Sequence, residues 1–179
     1  DAALIFLAMA QKRLGNYDGA VVCYDELINI RRRLVDRAAD DQEPATRLAD
    51  SLEGLAAVHL QDGNYGVAVG CFEESINIRG RLAEHSPEDL TAQIALAEAW
   101  MQVARIRFVQ HRAEDAVEPA RRGSDIYAGV VLRMGSEDNA IRTGFTSSRE
   151  LLGYVLTRSG HWEEGMTHLN EVLSAKRAL

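Results

Sequence analysis

The sequence has few prolines, no excess of positive charge and no long apolar run. Only 3 of its 179 residues are proline, while 46% are hydrophobic and 26% are charged, as in a globular protein large enough to bury a core. The net charge of −7 argues against nucleic acid or an anionic membrane as the main partner. No apolar run approaches the roughly 18 residues that a membrane span needs. We therefore expect neither a nucleic-acid partner nor a membrane partner.

Motifs of common catalytic and metal sites are also lacking. The sequence contains no HExxH, no CxxC, no GxxxxGK[ST] and no GxSxG. Its five histidines show no metal-ligand spacing, and its carboxylates follow solvent-facing positions without singling out a pair. We therefore expect no enzyme activity, no cofactor and no metal in this chain.

What the sequence does contain is a repeat. Residues 14–34 read LGNYDGAVVCYDELINIRRRL and residues 62–82 read DGNYGVAVGCFEESINIRGRL, with thirteen of twenty-one positions identical. Weaker copies occupy 110–130 and 159–179, so the period is 48 residues with one inserted residue before the last copy. A period of this length indicates stacked supersecondary units that bury one another's apolar faces.

Apolar residues within each copy follow a helical rhythm. In the first copy, Tyr17, Ala20, Val21, Tyr24 and Leu27 recur at intervals of three or four. A turn position before them holds glycine in three copies and histidine in the third, which suits a helix ending in the left-handed conformation. The pattern predicts eight helices in four hairpins, at about 2–14, 17–37, 44–61, 65–84, 87–109, 113–133, 137–158 and 162–178.

Capping patterns predict where three of these helices begin. Ser86-Pro87-Glu88-Asp89 places Ser86 at the N-cap and proline at the first helical position. Glu43-Pro44 and Gly135-Ser136-Glu137-Asp138 mark two further starts. Pro119 falls inside a predicted helix, where proline costs about 3 kcal/mol. Either that helix bends for a functional reason, or the chain tolerates a kink over neighbouring small residues.

The repeat also assigns roles to individual side chains. Tyr17, Tyr65 and Trp162 are predicted to be wedges in the core, and Gly54 and Gly70 to lie at close helix contacts. Asn29 and Asn77 are predicted to bond across a hairpin, with exposure to water as the alternative. Cys23 and Cys71 occupy equivalent positions, which lie about 10 Å apart in a helix stack. A disulfide needs Cα atoms within about 7 Å, so we predict buried, reduced thiols and a cytoplasmic location.

The segment Gly-Asn-Tyr-x-x-Ala-x-x-x-Tyr at 15–24, with its counterpart at 63–72, resembles the tetratricopeptide repeat. Trp100, four residues before Ala104, matches the aromatic residue that opens the first helix of that repeat. The resemblance implies an all-α, right-handed superhelical solenoid of four antiparallel helix hairpins. It would form a single domain, 1–179, with repeats at about 1–38, 44–85, 87–134 and 137–179. The period exceeds the usual length of about 34 residues, as in long-repeat arrays of bacterial signalling and defence proteins.

The resemblance implies a scaffold that binds a partner polypeptide, or a neighbouring domain of its own chain, on the concave face. The implied binding residues are Met9, Lys12, Arg13, Glu53, Met101, Arg105, Phe108, Glu150, Tyr154 and Arg158. The alternative for Met9, Met101 and Phe108 is an ordinary core position. A clamp for C-terminal carboxylates, known in one sub-class, is absent, since its positions hold Ile5, Met9, Glu53 and Ala57.

An alternative function is a regulatory segment of a multidomain enzyme with a kinase, peptidase or NTPase elsewhere in the chain. The sequence begins inside an apolar helical pattern, so we expect it to be a piece of a larger protein. The apolar residues near both termini, Ile5 and Phe6 at one and Leu173 and Leu179 at the other, leave end-to-end self-association open.

Overall fold

The computed structural model describes residues 1–38, 41–134 and 138–177, in which the chain forms eight helices and no strand. The helices are α1 (Ala2–Arg13), α2 (Tyr17–Arg37), α3 (Gln42–Gln61), α4 (Tyr65–His85), α5 (Leu90–Val109), α6 (Ala113–Met134), α7 (Asn139–Arg158) and α8 (Trp162–Arg177). The prediction of an all-α fold is confirmed, and every helix end in this described part lies within three residues of its predicted place.

The helices fall into two compact units, Asp1–Ser86 and Pro87–Leu179. The first contains α1 to α4 and the second α5 to α8, and within each unit consecutive helices pack against one another. The boundary falls between the second and third predicted repeats. That the four repeats form one domain, 1–179, stays a prediction.

Small residues are buried at the predicted repeat positions. Ala8, Ala20, Ala56, Ala68, Ala104 and Ala116 are all fully buried. In the last hairpin glycines take these places, and a Cβ atom on Gly153 would lie 3.1 Å from the backbone oxygen of Gly165. The small side chains therefore let the two helices of a hairpin approach closely, as predicted, because any larger group would meet the facing helix.

The first helices of three hairpins are capped by aspartates that the sequence interpretation missed. Asp41 accepts a hydrogen bond from the backbone N–H of Glu43, and Asp89 and Asp138 each accept two such bonds within the first turn. The predicted N-cap Ser86 is wrong, because α5 begins at Leu90 and Pro87 lies outside it. Helix α3 begins two residues before Pro44. The predicted start residues 135–137 lie outside the described residues.

The turn within each hairpin has the predicted left-handed conformation. Gly15, Gly63 and Gly160 have φ of 75°, 79° and 92°, and His111 takes the same place with φ of 61°. The described chain has positive φ at no other position. The conformation is costly for a residue with a Cβ atom, so the third hairpin carries strain that the other three avoid.

Pro119 is fully buried inside α6, and the helix continues through it. Proline lacks the N–H group that would bond to the carbonyl of Asp115, four residues earlier. The guanidinium of Arg107 on α5 donates a hydrogen bond to that carbonyl at 3.0 Å. The missing helical bond is therefore replaced by a bond from the neighbouring helix.

Replacing Arg107 with glutamine should lower the free energy of unfolding by about 1 kcal/mol, because the Asp115 carbonyl loses its donor. In a Pro119→Ala background the helix supplies an N–H group to that carbonyl. The same Arg107 substitution should then cost less than half as much. Urea unfolding of the four proteins gives the coupling energy, and equal costs in both backgrounds would contradict this account.

Some of the predictions for individual side chains are confirmed and others are wrong. Trp162 is 63% exposed and Tyr65 is also exposed, so the prediction that they are core wedges is wrong. Tyr24 and Phe72 are the buried aromatic residues of their helices. Asn29 and Asn77 are exposed, in agreement with the alternative. A Cβ atom on Gly54 would collide with the Tyr24 ring, whereas one on Gly70 would meet nothing within 4 Å. Cys23 and Cys71 are buried free thiols, as predicted.

Candidate functional site

A groove of about 780 Å³ opens on the second unit between α5, α6 and α7. Its polar lining comes from two rows of side chains spaced three or four residues apart, so each row lies on one face of its helix. The rows are Glu98, Gln102 and Arg105 on α5, and Asn139, Thr143 and Ser147 on α7. We call this the α5–α7 groove.

The base of the α5–α7 groove is apolar and is built around Tyr127 of α6. Ile94, Met101 and Ile141 also line it, and Tyr127 is buried. A Cβ atom on Gly144 of α7 would lie 2.6 Å from the Tyr127 ring. Glycine at residue 144 therefore allows α7 to cross directly over the ring.

The hydroxyl group of Tyr127 faces a carboxylate on the groove wall. It donates a long hydrogen bond of 3.4 Å to Glu98 Oε1. Burial, and next the negative charge of Glu98, raise the pKa of Tyr127 to about 12. The phenol therefore remains a neutral hydrogen-bond donor throughout the physiological pH range.

Other polar groups of the α5–α7 groove are available to a ligand. Arg105 is exposed, and no described residue forms a hydrogen bond or ion pair with its guanidinium. Gln102 and Ser147 likewise have no hydrogen-bond partner within the described part of the chain. Thr143 donates to the backbone oxygen of Asn139 at 2.7 Å, which leaves its own oxygen free to accept.

The predicted binding residues of the second unit lie in different places. Arg105 lies on the wall of the α5–α7 groove, and Met101 is buried at its base, where its Sδ atom lies 2.6 Å from the place of a Cβ on Gly123. Phe108 is half-buried against the core, so the alternative of a core position fits both apolar residues. Tyr154 and Arg158 are exposed farther along α7.

A smaller pocket of about 340 Å³ lies between α7 and α8 and shares Asn139, Thr143 and Ser147 with the α5–α7 groove. Glu150 lines it and accepts an ion-pair hydrogen bond of 2.8 Å from Lys176. Glu150 is thus already paired within the unit. The row of polar residues on α7 consequently has accessible space on both sides.

In the first unit, the predicted binding residues lie on α1 and α3. Met9 and Arg13 are exposed and Lys12 is half-buried on α1. Glu53 of α3 is committed to an internal network, because its Oε1 accepts hydrogen bonds of 2.7 Å from both Ser75 and Arg79. Its carboxylate therefore stabilises the α3–α4 hairpin.

The sequence interpretation missed that each second helix carries a long polar side chain at one repeat position. Arg31 lies 3.6 Å from Asp1, and Arg79 donates to Asp50 at 2.8 Å and to Glu53. The equivalent Tyr127 and Lys176, 48 and 97 residues after Arg79, bond to carboxylates of α5 and α7. In the last three hairpins the second helix is therefore linked to an acidic residue of its own first helix, and in the first hairpin it is linked to Asp1, which directly precedes α1. The recurrence of long polar side chains at this one repeat position is the signal in the sequence that could have revealed these links.

A second groove of about 840 Å³ lies in the first unit, where the C-terminal ends of α2 and α4 meet the beginning of α3. Its apolar surface includes Val35, Leu48 and Leu82. Arg32 and Glu74, which form an ion pair of 2.8 Å, also line it. These helix ends belong to the residues that make the period longer than about 34.

The described residues contain neither a metal-ligand cluster nor a membrane-spanning helix. Among them, no three histidine, cysteine, aspartate or glutamate side chains are grouped as metal ligands would be. Nor does any helix of the described part have the length and hydropathy needed to cross a bilayer.

Residues 2–42 and 48–88 match the model of a family described as tetratricopeptide repeat. BtubC (BKLC) from P. vanneervenii has a similar structure, with a TM-score of 0.70 and 17% identity over 96% of this chain and 61% of that one. MamA has a TM-score of 0.48 and 12% identity over 98% and 91%. A Podosopora anserina putative kinesin light chain with nearly identical TPR-like repeats has 0.40 and 18% over 97% and 92%. No curated protein matches the chain. This chain thus spans about three fifths of BtubC.

Proposed function

We propose that this chain, whose residues 2–42 and 48–88 are tetratricopeptide repeats, is a scaffold that binds a partner polypeptide in the α5–α7 groove. The observation that carries the proposal is the composition of that groove. It combines an apolar base with side chains that have no partner within the described residues. Polar groups around an apolar base are typical of sites that bind polypeptide.

The dimensions suit a short extended segment. Asn139 and Ser147 are eight residues apart on α7, which corresponds to about 12 Å along the helix axis. An extended chain advances about 3.3 Å per residue. The row of polar residues on α7 therefore faces about four residues of a bound segment.

The chemistry of the groove walls matches a peptide backbone. The Gln102 side chain both donates and accepts hydrogen bonds, and so does the Ser147 hydroxyl. An extended segment presents N–H and C=O groups that have no partner of their own. Bonds from these side chains would compensate for the water that the backbone loses on binding, and apolar side chains of the segment would contact Ile94 and Ile141.

Arg105 supplies the charge preference of the proposed site. Its guanidinium is exposed and has no acidic partner within the described residues. A carboxylate of the bound segment would form a charge-assisted hydrogen bond with it. We therefore propose a segment with an acidic residue next to apolar ones.

The test is to select peptides from a random displayed library against the whole chain and measure their affinities by fluorescence polarisation. Replacing Arg105 with glutamate should weaken acidic peptides at least about tenfold, since hydrogen bonds to charged groups contribute about 1.5–3 kcal/mol. The matched control is Arg81→Glu, an equal charge reversal at an exposed residue of α4. Affinities that respond equally to both substitutions, or to neither, would place the binding site elsewhere.

A further inference from the structure

Glu98, on the wall of the α5–α7 groove, carries a negative charge that no cation in the described part of the chain neutralises. Its side chain is exposed. Its one hydrogen-bond partner among the described residues is the Tyr127 hydroxyl, at the long distance of 3.4 Å. Because the pKa of Tyr127 is about 12, the phenol is neutral and donates this bond without cancelling the charge of the carboxylate.

The other hairpins have a basic residue at the repeat position of Tyr127. The residues at this position in the first, second and fourth copies are Arg31, Arg79 and Lys176. In the second copy, Asp50 is the residue equivalent to Glu98, and it forms an ion pair of 2.8 Å with Arg79. The α3–α4 hairpin thus neutralises this carboxylate from within. In the α5–α6 hairpin a tyrosine takes the place of the cation, and the charge of Glu98 remains available.

Arg105 is the other charge on the same wall, and it does not replace the missing cation. It is seven residues after Glu98 on α5, which corresponds to about 10 Å along the helix axis. Burial has the largest effect on the pKa of Tyr127, the negative charge of Glu98 raises it further, and the positive charge of Arg105 lowers it. The two opposite charges therefore lie on either side of one phenol without pairing with each other.

The spacing of the two charges suits a polypeptide in the polyproline II conformation. This conformation has three residues per turn and a rise of about 3.1 Å per residue, so residues i and i+3 lie on the same side, about 9 Å apart. In a β-strand, residues three apart point to opposite sides. A segment with two charged residues at i and i+3 can therefore reach Glu98 and Arg105 together when it is in the polyproline II conformation.

The pair of charges also selects against other segments. A segment with acidic residues alone would place a carboxylate beside Glu98, and a segment with basic residues alone would place a cation beside Arg105. Each arrangement brings like charges together and lowers the affinity. A segment that carries one charge of each sign avoids both contacts.

We propose that the bound segment carries a lysine or arginine that pairs with Glu98, about three residues from the acidic residue that pairs with Arg105. The cation of the partner then occupies the role that Arg79 has for Asp50 within the α3–α4 hairpin. This inference rests on the polypeptide site proposed above and adds the second charge that decides its specificity.

The test uses the peptides that are selected from the random displayed library against the whole chain. These peptides should carry a basic residue two to four residues from the acidic one. Glu98→Gln retains the oxygen that accepts from Tyr127 and should weaken their binding at least about tenfold, measured by fluorescence polarisation. The same substitution should change the affinity less than about twofold when the basic residue of the peptide is replaced with glutamine. The difference between the two effects is the coupling between Glu98 and that residue.

The matched control is Glu26→Gln, which removes the same charge at an exposed residue of α2 and should leave all affinities unchanged. Circular dichroism verifies that both variants are folded. Selected peptides without a basic residue, or peptides that respond to Arg105→Glu but not to Glu98→Gln, would overturn the cation site and keep the groove as the binding site. An equal effect of Glu98→Gln on both forms of the peptide would also overturn it, since that result indicates a structural role for Glu98. Peptides that respond to neither substitution, or a library that yields no peptide, would overturn this inference and the polypeptide site together.

Discussion

Replacing Gly165 with alanine is expected to lower the free energy of unfolding of the second unit by about 3 kcal/mol. A Cβ atom at this residue would lie 2.9 Å from both the backbone oxygen of Gly153 and the backbone nitrogen of Thr157, and would also collide with the Thr157 hydroxyl. A side chain can rotate away from such a contact, but backbone atoms of a packed helix cannot. Helices α7 and α8 would have to separate, and the contacts between them would be lost.

The matched control for this substitution is Gly129→Ala in α6 of the same unit. A Cβ atom there would meet nothing within 4 Å, so alanine should raise stability by about 0.5–1 kcal/mol. Urea unfolding followed by circular dichroism measures both changes. Equal effects of the two substitutions would show that helix propensity, rather than the approach of α8 to α7, decides the result.

The second large effect is expected at Arg79, which is buried between α3 and α4. Replacing it with methionine should lower the free energy of unfolding by about 2–3 kcal/mol, because Glu53 and Ser75 lose the cation around which they are arranged. The value lies at or below the usual 3–5 kcal/mol for a broken buried pair, because Asp50 is largely exposed and water can solvate it.

Arg81→Met is the control for the loss of a positive charge near the end of α4. Arg81 is exposed and donates to Asn77 within its own helix, so its replacement should change stability by less than about 0.5 kcal/mol. Adding Glu53→Leu to Arg79→Met removes the carboxylate that was left without its cation and should recover part of the loss. Additive effects in the double variant, measured by urea unfolding, would contradict a coupled network.

Helix positions were predictable because they depend on local patterns. The rhythm of residues such as Tyr24 and Leu27 selects one buried face, and the left-handed turn at Gly15 ends a helix. Helix starts were predicted less well. Several capping side chains were available before α5, and Asp89 rather than Ser86 accepts the first-turn bonds. Local sequence does not show which of several possible residues is the N-cap. The recurrence of aspartate at 41, 89 and 138, one repeat apart, would have indicated Asp89.

The candidate site was predictable only in part. The resemblance implied Met101 and Arg105 together as binding residues, yet Met101 is buried and Arg105 is exposed. The role of Tyr127 was missed because it follows from Gly144, seventeen residues later, which allows α7 to cross its ring. Glu53 was predicted as a binding residue, and its bond to Arg79, 26 residues away, was missed because local sequence gives no signal of it.

The sequence by itself determined that this protein is built from repeated helix pairs, where their helices lie and that Ala8, Ala56 and Ala104 are buried at one repeat position, since periodicity and turn conformation act over a few residues. Only the tertiary structure decided which polar side chains are bonded internally and which are available, and where a groove opens. Those properties depend on distances between residues on different helices, which no repeat unit specifies alone. Leu7 and Leu55 show the difference, because they occupy equivalent repeat positions and yet Leu7 is 48% exposed and Leu55 is 7% exposed.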